Sequence, residues 1–353
     1  MESNPEGRSL WPGDLIFGFR TLTSMRRFGR GDLRSGVSAG SGDPRRTLHD
    51  RLRRGYTLIE LMTVATLVGP PATLTSPVRV SDHYRTAFVT GASTGLGQAF
   101  AQMLLEEGVR VWGTSRDAAR LAELAAKWPG QFTSVALELR DGAKAEAGFL
   151  AADRESGGFD IVVNNAGYGL FGDFTQTDFA LWQEQLEVML IHTARLSQAA
   201  LRGMLARDRG ALVNISSLAA EFPLPFQSAY NICKAGLTAL NESLMIETAG
   251  TGVVILDVRP GDYRTDFEGS VRRPPGGVST PRMQRAWTAF SAMMASGPEP
   301  AHAADALRRA LVRRRSGTVR TGRVFQAVLA PLLARFGSLA LQRRIQARYF
   351  DIS

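Results

Sequence analysis

From Arg85 onward the chain alternates short apolar, β-branched runs with longer amphipathic stretches, and few folds accommodate that rhythm. The strand candidates are Thr86–Thr90, Val109–Thr114, Phe132–Glu138, Ile161–Asn164, Ala211–Ile215 and Val253–Val258. Helical patterning covers the stretches near 96–107, 117–127, 142–153, 178–206, 228–249 and 300–313. A strand buried on both faces reads as a continuous apolar run, and the intervening helices supply the cover. The pattern predicts an α/β fold in which one domain carries a doubly wound, Rossmann-type parallel sheet.

The first strand runs into Thr90-Gly91-Ala92-Ser93-Thr94-Gly95-Leu96-Gly97. Here the chain must turn sharply, bring its backbone close to a phosphate and pack the next helix on the sheet; glycine permits all three. The unpaired N–H groups of the helix start then face the phosphates. A glycine-rich turn alone is often merely tight, but its place after the first strand of an alternating series points to a nucleotide.

Four more segments follow in order: Asn164-Asn165-Ala166-Gly167, Asn214-Ile215-Ser216-Ser217, Tyr230-Asn231-Ile232-Cys233-Lys234, and Pro260-Gly261 with Thr265. With Thr-Gly-x-x-x-Gly-x-Gly at 90–97, this ordered set resembles the short-chain dehydrogenase/reductase family over about 85–320, in its small single-domain form. The resemblance implies a nicotinamide-dependent oxidoreductase that interconverts a carbonyl and an alcohol by hydride transfer. Its partner would be a small-molecule substrate, and the protein would be a homo-oligomer.

Tyr230 and Lys234 are four apart and share one helix face, so an ammonium beside the phenol should favour the phenolate. Moving a tyrosine to neutral pH takes roughly 4 kcal/mol of differential stabilisation. Tyr230 would then serve as general acid toward a carbonyl, or as base toward an alcohol. By resemblance, Ser217 polarises the substrate carbonyl and Lys234 also holds the nicotinamide ribose. The family's remaining catalytic residue, an Asn in the central helix, is replaced: counting from Trp182, Met189 stands there. In the family that Asn supports a water relay, and a thioether cannot donate to water. Slowed turnover is expected, with His192, one turn further on, either reaching the relay or standing as a surface or core-edge residue.

The second strand ends in Ser115-Arg116, where NAD-using enzymes of this fold usually carry a carboxylate for the ribose 2′-hydroxyl. Serine cannot repel a 2′-phosphate and a guanidinium suits it, so NADP(H) is favoured over NAD(H). The cofactor-binding residues expected are Gly91, Ser93, Thr94, Gly95, Leu96 and Gly97 at the phosphates and Arg116 at the 2′-phosphate. By family analogy Glu138 and Leu139 border the adenine, although Glu138 departs from the usual Asp. Asn164, Asn165, Ala166 and Gly167 line the floor, and Pro260, Gly261 and Thr265 meet the nicotinamide with Tyr230 and Lys234. No metal ligands are expected.

Substrate choice should come from Glu221–Phe226 and from a lid after Thr265 that holds Phe267, Trp287, Phe290, Met293 and Met294. Rings and thioethers suit an apolar substrate, although they suit core packing as well. Arg272, Arg273, Pro274, Pro275, Gly276 and Gly277 read as a mobile loop within that lid.

Three segments result: an extension at 1–83, a catalytic domain at 84–320 and a basic amphipathic tail at 321–353. The tail has apolar rows at Val324, Val328, Leu332 and Phe336 and at Phe325, Leu329 and Leu333, broken by Pro331. Docking on its own domain or a second subunit is favoured, and peripheral contact with an anionic membrane is the other reading. The extension reads as largely disordered. Within it, Arg53-Arg54-Gly55-Tyr56 through Met62 resembles a type IV prepilin cleavage signal, but Gly69-Pro70-Pro71 cuts its apolar run too short to span a bilayer. A remnant, or a start placed too far upstream, is the favoured reading.

The net charge of +9 is not a nucleic-acid signal. Residues 1–55 hold 11 arginines against 6 acids and residues 301–353 hold 11 against 2, which leaves the middle acidic. The single cysteine, Cys233, forms no internal disulfide and fits a reducing, cytoplasmic compartment. A non-catalytic, redox-sensing dinucleotide module and an exported, membrane-anchored fusion are the competing functional readings.

Overall fold

The computed structural model describes residues 78–273 and 280–352. The N-terminal extension with its prepilin-like segment, and the prolines and glycines expected in the mobile loop, lie outside the described residues. In chain order the elements are β1 (Thr86–Val89), α1 (Gly95–Glu106), β2 (Arg110–Ser115), α2 (Ala122–Lys127), β3 (Phe132–Ala136) and α3 (Gly142–Ser156). Next come β4 (Ile161–Asn164), α4 (Phe179–Leu186), α5 (His192–Ala206), β5 (Gly210–Ile215), α6 (Ser228–Glu247) and β6 (Val253–Pro260). The one-turn α7 (Phe267–Ser270), α8 (Pro281–Ala295), α9 (Pro300–Arg313), β7 (Gly317–Thr321), α10 (Ala330–Phe336) and α11 (Leu339–Tyr349) complete the chain.

The strands form one seven-stranded sheet in the order β3-β2-β1-β4-β5-β6-β7, every neighbouring pair parallel. Period-two alternation splits the apolar runs between two cores. Ala87, Val89, Ile161, Val163, Val213 and Leu256 face one layer, where α1 packs against α9. Phe88, Val162, Leu212 and Ile255 face the other, over α3 and α5. There Phe88 meets Phe149 at 5.1 Å and Phe159 at 5.2 Å between ring centroids. Truncating a ring buried this completely costs about 3–5 kcal/mol.

Two features escape the sequence pattern. Strand β7, Gly-Thr-Val-Arg-Thr, lies at the sheet edge and is mostly half-exposed, so it carries no apolar run. The predicted helix over 178–206 is two helices, α4 and α5, joined by a π-turn at Glu187–Ile191 that contains Met189. Wide turns of this kind place side chains out of step with an α-helix and recur at functional sites.

The order of strands reverses beside β1, since the chain moves outward to β2 and β3 and then returns to β4 on its other side. Ligands of open parallel sheets bind at the carboxyl ends of the strands flanking such a point.

Candidate active site

A cavity of about 1010 Å³ opens at that edge, more than one drug-sized ligand fills. Its floor begins at the glycine turn. Gly91 (φ +67°) and Gly95 (φ +56°) take left-handed conformations that a side chain would strain. A Cβ on Gly97 would sit 2.1 Å from the Gly91 carbonyl oxygen, so no other residue lets α1 approach the strand this closely. The Asn165 amide donates to the Thr90 carbonyl at 3.0 Å, and the Thr90 hydroxyl accepts from the N–H groups of Asn165 at 2.8 Å and Ala166 at 3.0 Å. These bonds tie the ends of β1 and β4 together. Thr94 caps α1 without a side-chain bond, and the first turn holds no acid, so its N–H groups remain for an outside anion. The cradle fits a dinucleotide pyrophosphate.

Gly91, Ser93, Thr94, Gly95, Leu96, Gly97, Arg116, Glu138, Leu139, Asn165, Ala166, Gly167, Pro260, Gly261 and Thr265 all reach the cavity wall. Arg116 is exposed at the rim, and no carboxylate pairs with it among the described residues. Asn164 differs from its expected place on the floor. Its buried amide donates to Ser197 at 3.1 Å and to Asn214 at 2.8 Å, bridging strands and helix behind the wall.

Ser217, Tyr230 and Lys234 meet on the same side of the cavity. The Lys234 ammonium lies 5.5 Å from the centroid of the Tyr230 ring and donates to the Ile215 carbonyl at 2.7 Å. Beneath them a buried polar frame fixes the end of β5. Ser216 donates to Asp257, Asn241 to the same carboxylate at 3.0 Å, and Arg259 to its other oxygen at 2.7 Å. A frame with its partners supplied holds the next residue, Ser217, rigidly.

The electrostatics depart from the sequence expectation. Burial pushes the Tyr230 phenol up to about 12, with a hydrogen bond to Ser217 pulling only partly against it. Burial also brings the Lys234 ammonium down to about 8. Desolvation outweighs the lysine's pull toward phenolate, so at neutral pH the pair is a neutral phenol beside an ammonium.

Met189 is buried at the wall, its sulfur facing the Tyr168 N–H at 3.4 Å and the Gln185 amide at 3.5 Å. His192 does not reach the cavity; its Nδ1 is 2.6 Å from the Leu139 carbonyl oxygen, at the core edge. Of the expected substrate segments, Phe222, Leu224, Phe267, Phe290, Met293 and Met294 line the wall. Trp287 packs instead against Phe171 at 5.0 Å, with the Arg273 guanidinium over its ring at 3.7 Å.

Sequence reasoning missed Tyr168 and Asp262; for the tail it favoured docking on its own domain or a second subunit, and the structure lays the tail against its own domain. Asp262 is two residues beyond Pro260, and burial pushes its carboxyl up. Gln326 donates to it, and Phe325, Leu333, Leu341, Ile345 and Tyr349 extend the wall. The apolar rows of the tail were legible; which of its faces turns inward was not.

The chain belongs to the short-chain dehydrogenase family, whose sequence profile matches residues 85–276. Proteins of this kind are oxidoreductases that work between CH–OH and C=O with a nicotinamide dinucleotide. The chain is 33% identical over 183 residues to a 3-oxoacyl-acyl-carrier-protein reductase of Vibrio cholerae, covering 52% of this chain and 75% of that protein. It is also 33% identical over 184 residues to a serine 3-dehydrogenase of Agrobacterium fabrum, covering 52% and 73%. A solved short-chain dehydrogenase from Streptomyces avermitilis superposes with a TM-score of 0.66 at 28% identity, covering 75% of this chain and 98% of its own.

Proposed function

We propose that the protein is an NADP(H)-dependent oxidoreductase interconverting an apolar carbonyl compound and its alcohol, with Ser217, Tyr230 and Lys234 as the catalytic set. The observation that carries this reading is the convergence of these three side chains on one cavity that also holds a glycine cradle shaped for a pyrophosphate. Bound nicotinamide supplies or takes up the hydride. A phenol held protonated is the form that donates to a carbonyl oxygen, so the state described here is poised for reduction. Ser217 would hydrogen-bond that oxygen and orient it, while Lys234, still largely charged at neutral pH, would help hold the nicotinamide ribose and offset negative charge developing on Tyr230.

Arg116 supports the choice of NADP(H): it is an unpaired guanidinium at the strand end where a 2′-phosphate would lie. Phe222, Leu224, Phe290, Met293, Met294 and Leu333 make the rest of the wall apolar, which supports a greasy substrate. The two curated relatives, equal in identity, act on a 3-oxoacyl chain and on serine, so substrate choice lies in the wall rather than in the family core. A carbonyl panel followed by NADPH absorbance, run beside Tyr230→Phe, tests the proposal. Turnover of an apolar carbonyl that falls about a thousandfold in the variant supports it. Cofactor binding without turnover anywhere on the panel favours the redox-sensing reading instead.

A further inference from the structure

We propose that residues 323–350 form an interfacial lid: one side closes the cavity, and the other docks on an anionic lipid surface from which the substrate passes inward. The passage of substrate rests on the functional reading above; the docking does not.

The inner side is built into the site. Gln326 donates to Asp262 and lies over Gly261, where a Cβ would come within 2.8 Å of its Oε1. Gln346 donates to the Pro223 carbonyl at 3.3 Å, and Phe350 is buried. The outer side has no such partners. Val324, Val328 and Leu332, one turn apart, and Leu339 are between 53% and 71% exposed, and none of them lines the cavity. Among the described residues, 11 of the 19 large exposed apolar side chains fall in this segment, and five of them, these four with Leu329, lie off the cavity wall.

Charge selects the occupant. Residues 323–350 hold five arginines, at 323, 335, 343, 344 and 348, and no acid. Arg343 and Arg344 are exposed without a carboxylate partner among the described residues. A second copy docked through this row would set arginines against arginines. The N-terminal stretch is disfavoured for the same reason, because residues 1–55 are basic as well. An anionic bilayer answers both features, taking the apolar row at its acyl boundary and the arginines at its phosphates. No helix among the described residues is long and apolar enough to cross a membrane, so the segment would lie on the surface.

The test is sedimentation of the full chain with vesicles of phosphatidylcholine containing about 30 mol % phosphatidylglycerol, and with phosphatidylcholine alone. The wild type is expected to bind the anionic vesicles preferentially and to release them at high salt. Combined V324S/V328S/L332S/L339S should lower partitioning at least about tenfold, and R343E/R344E at least about twentyfold, at roughly fivefold per arginine. Both variants should keep wild-type turnover of a water-soluble carbonyl and wild-type circular dichroism. Binding equal in wild type and variants would assign it to the basic N-terminal stretch and overturn the proposal, as would no binding by the wild type. A wild-type dimer that the serine variant converts to monomer by light scattering would make the row a contact between copies, also overturning it. If no carbonyl turns over while lid-dependent vesicle binding persists, the enzymatic reading fails and the docking stands.

Discussion

The cavity has two walls of different construction. One is made by the carboxyl ends of β1, β4, β5 and β6 with the start of α6, and its polar groups are held by short, buried bonds such as Ser216 and Arg259 to Asp257. The other is made by α7, α8, α10 and α11, where exposed side chains such as Leu333, Phe336 and Ile345 meet the open space. Proton transfer tolerates little misplacement, and the residues proposed for it stand on sheet and long helix. Recognition of an apolar molecule needs area more than angle, and half-exposed rows and thioethers supply it adaptably. On the proposed reading, the contrast separates the chemistry from the choice of substrate.

Substitutions on the two walls should therefore fail differently. At the exposed rim after β2, Arg116→Ala should lower kcat/KM for NADPH about 10–100-fold while leaving NADH nearly unchanged. Equal losses with both cofactors would remove Arg116 from the discrimination. On the proposed reading, the pH dependence of reduction is set by Lys234. Its ammonium is disfavoured by burial, so the folded enzyme loses that charge as pH rises through about 8, below the ordinary 10.5. Reduction should fall toward about tenfold per pH unit above that point, with the fall displaced upward in Lys234→Arg. A flat profile through pH 10 would break the assignment.

On the adaptable wall, Leu333→Ala combined with Ile345→Ala should raise KM for an apolar substrate about tenfold. The same variant should leave kcat for a small soluble carbonyl unchanged and alter stability by no more than roughly 0.5 kcal/mol. A comparable loss of kcat would show that the two walls are coupled. The smallest effect is expected at Met189→Asn. A donor and acceptor at the π-turn should raise the reduction rate a few-fold by supporting a proton-relay water, at a cost of about 1–2 kcal/mol in stability for a polar group in a buried site. An unchanged rate would mean that turnover does not depend on that relay.

The rigid wall was largely legible in advance because its parts are local. A glycine turn, a Tyr-x-x-x-Lys spacing and a Ser after an apolar strand are each short motifs, bland singly and informative only because they occur together in an order that resembles the family. Asn164 shows the limit: its neighbour Asn165 reaches the cavity, yet its own amide bridges Ser197 and Asn214, a pairing made only when distant segments meet. His192 is similar, since the Leu139 carbonyl that holds it is 53 residues away. Strand β7 escaped because an edge strand needs no continuous apolar run.

By its pattern of short apolar runs and helical stretches, the sequence alone settled the parallel sheet and the glycine turn, since strand burial and turn geometry are local properties; the candidate phenol, ammonium and hydroxyl were singled out only by their ordered resemblance to a family. Tertiary structure alone decided the protonation state of that phenol and the place of the C-terminal segment. Desolvation depends on everything packed around a group, and an amphipathic helix carries its apolar rows without any record of which one will turn inward.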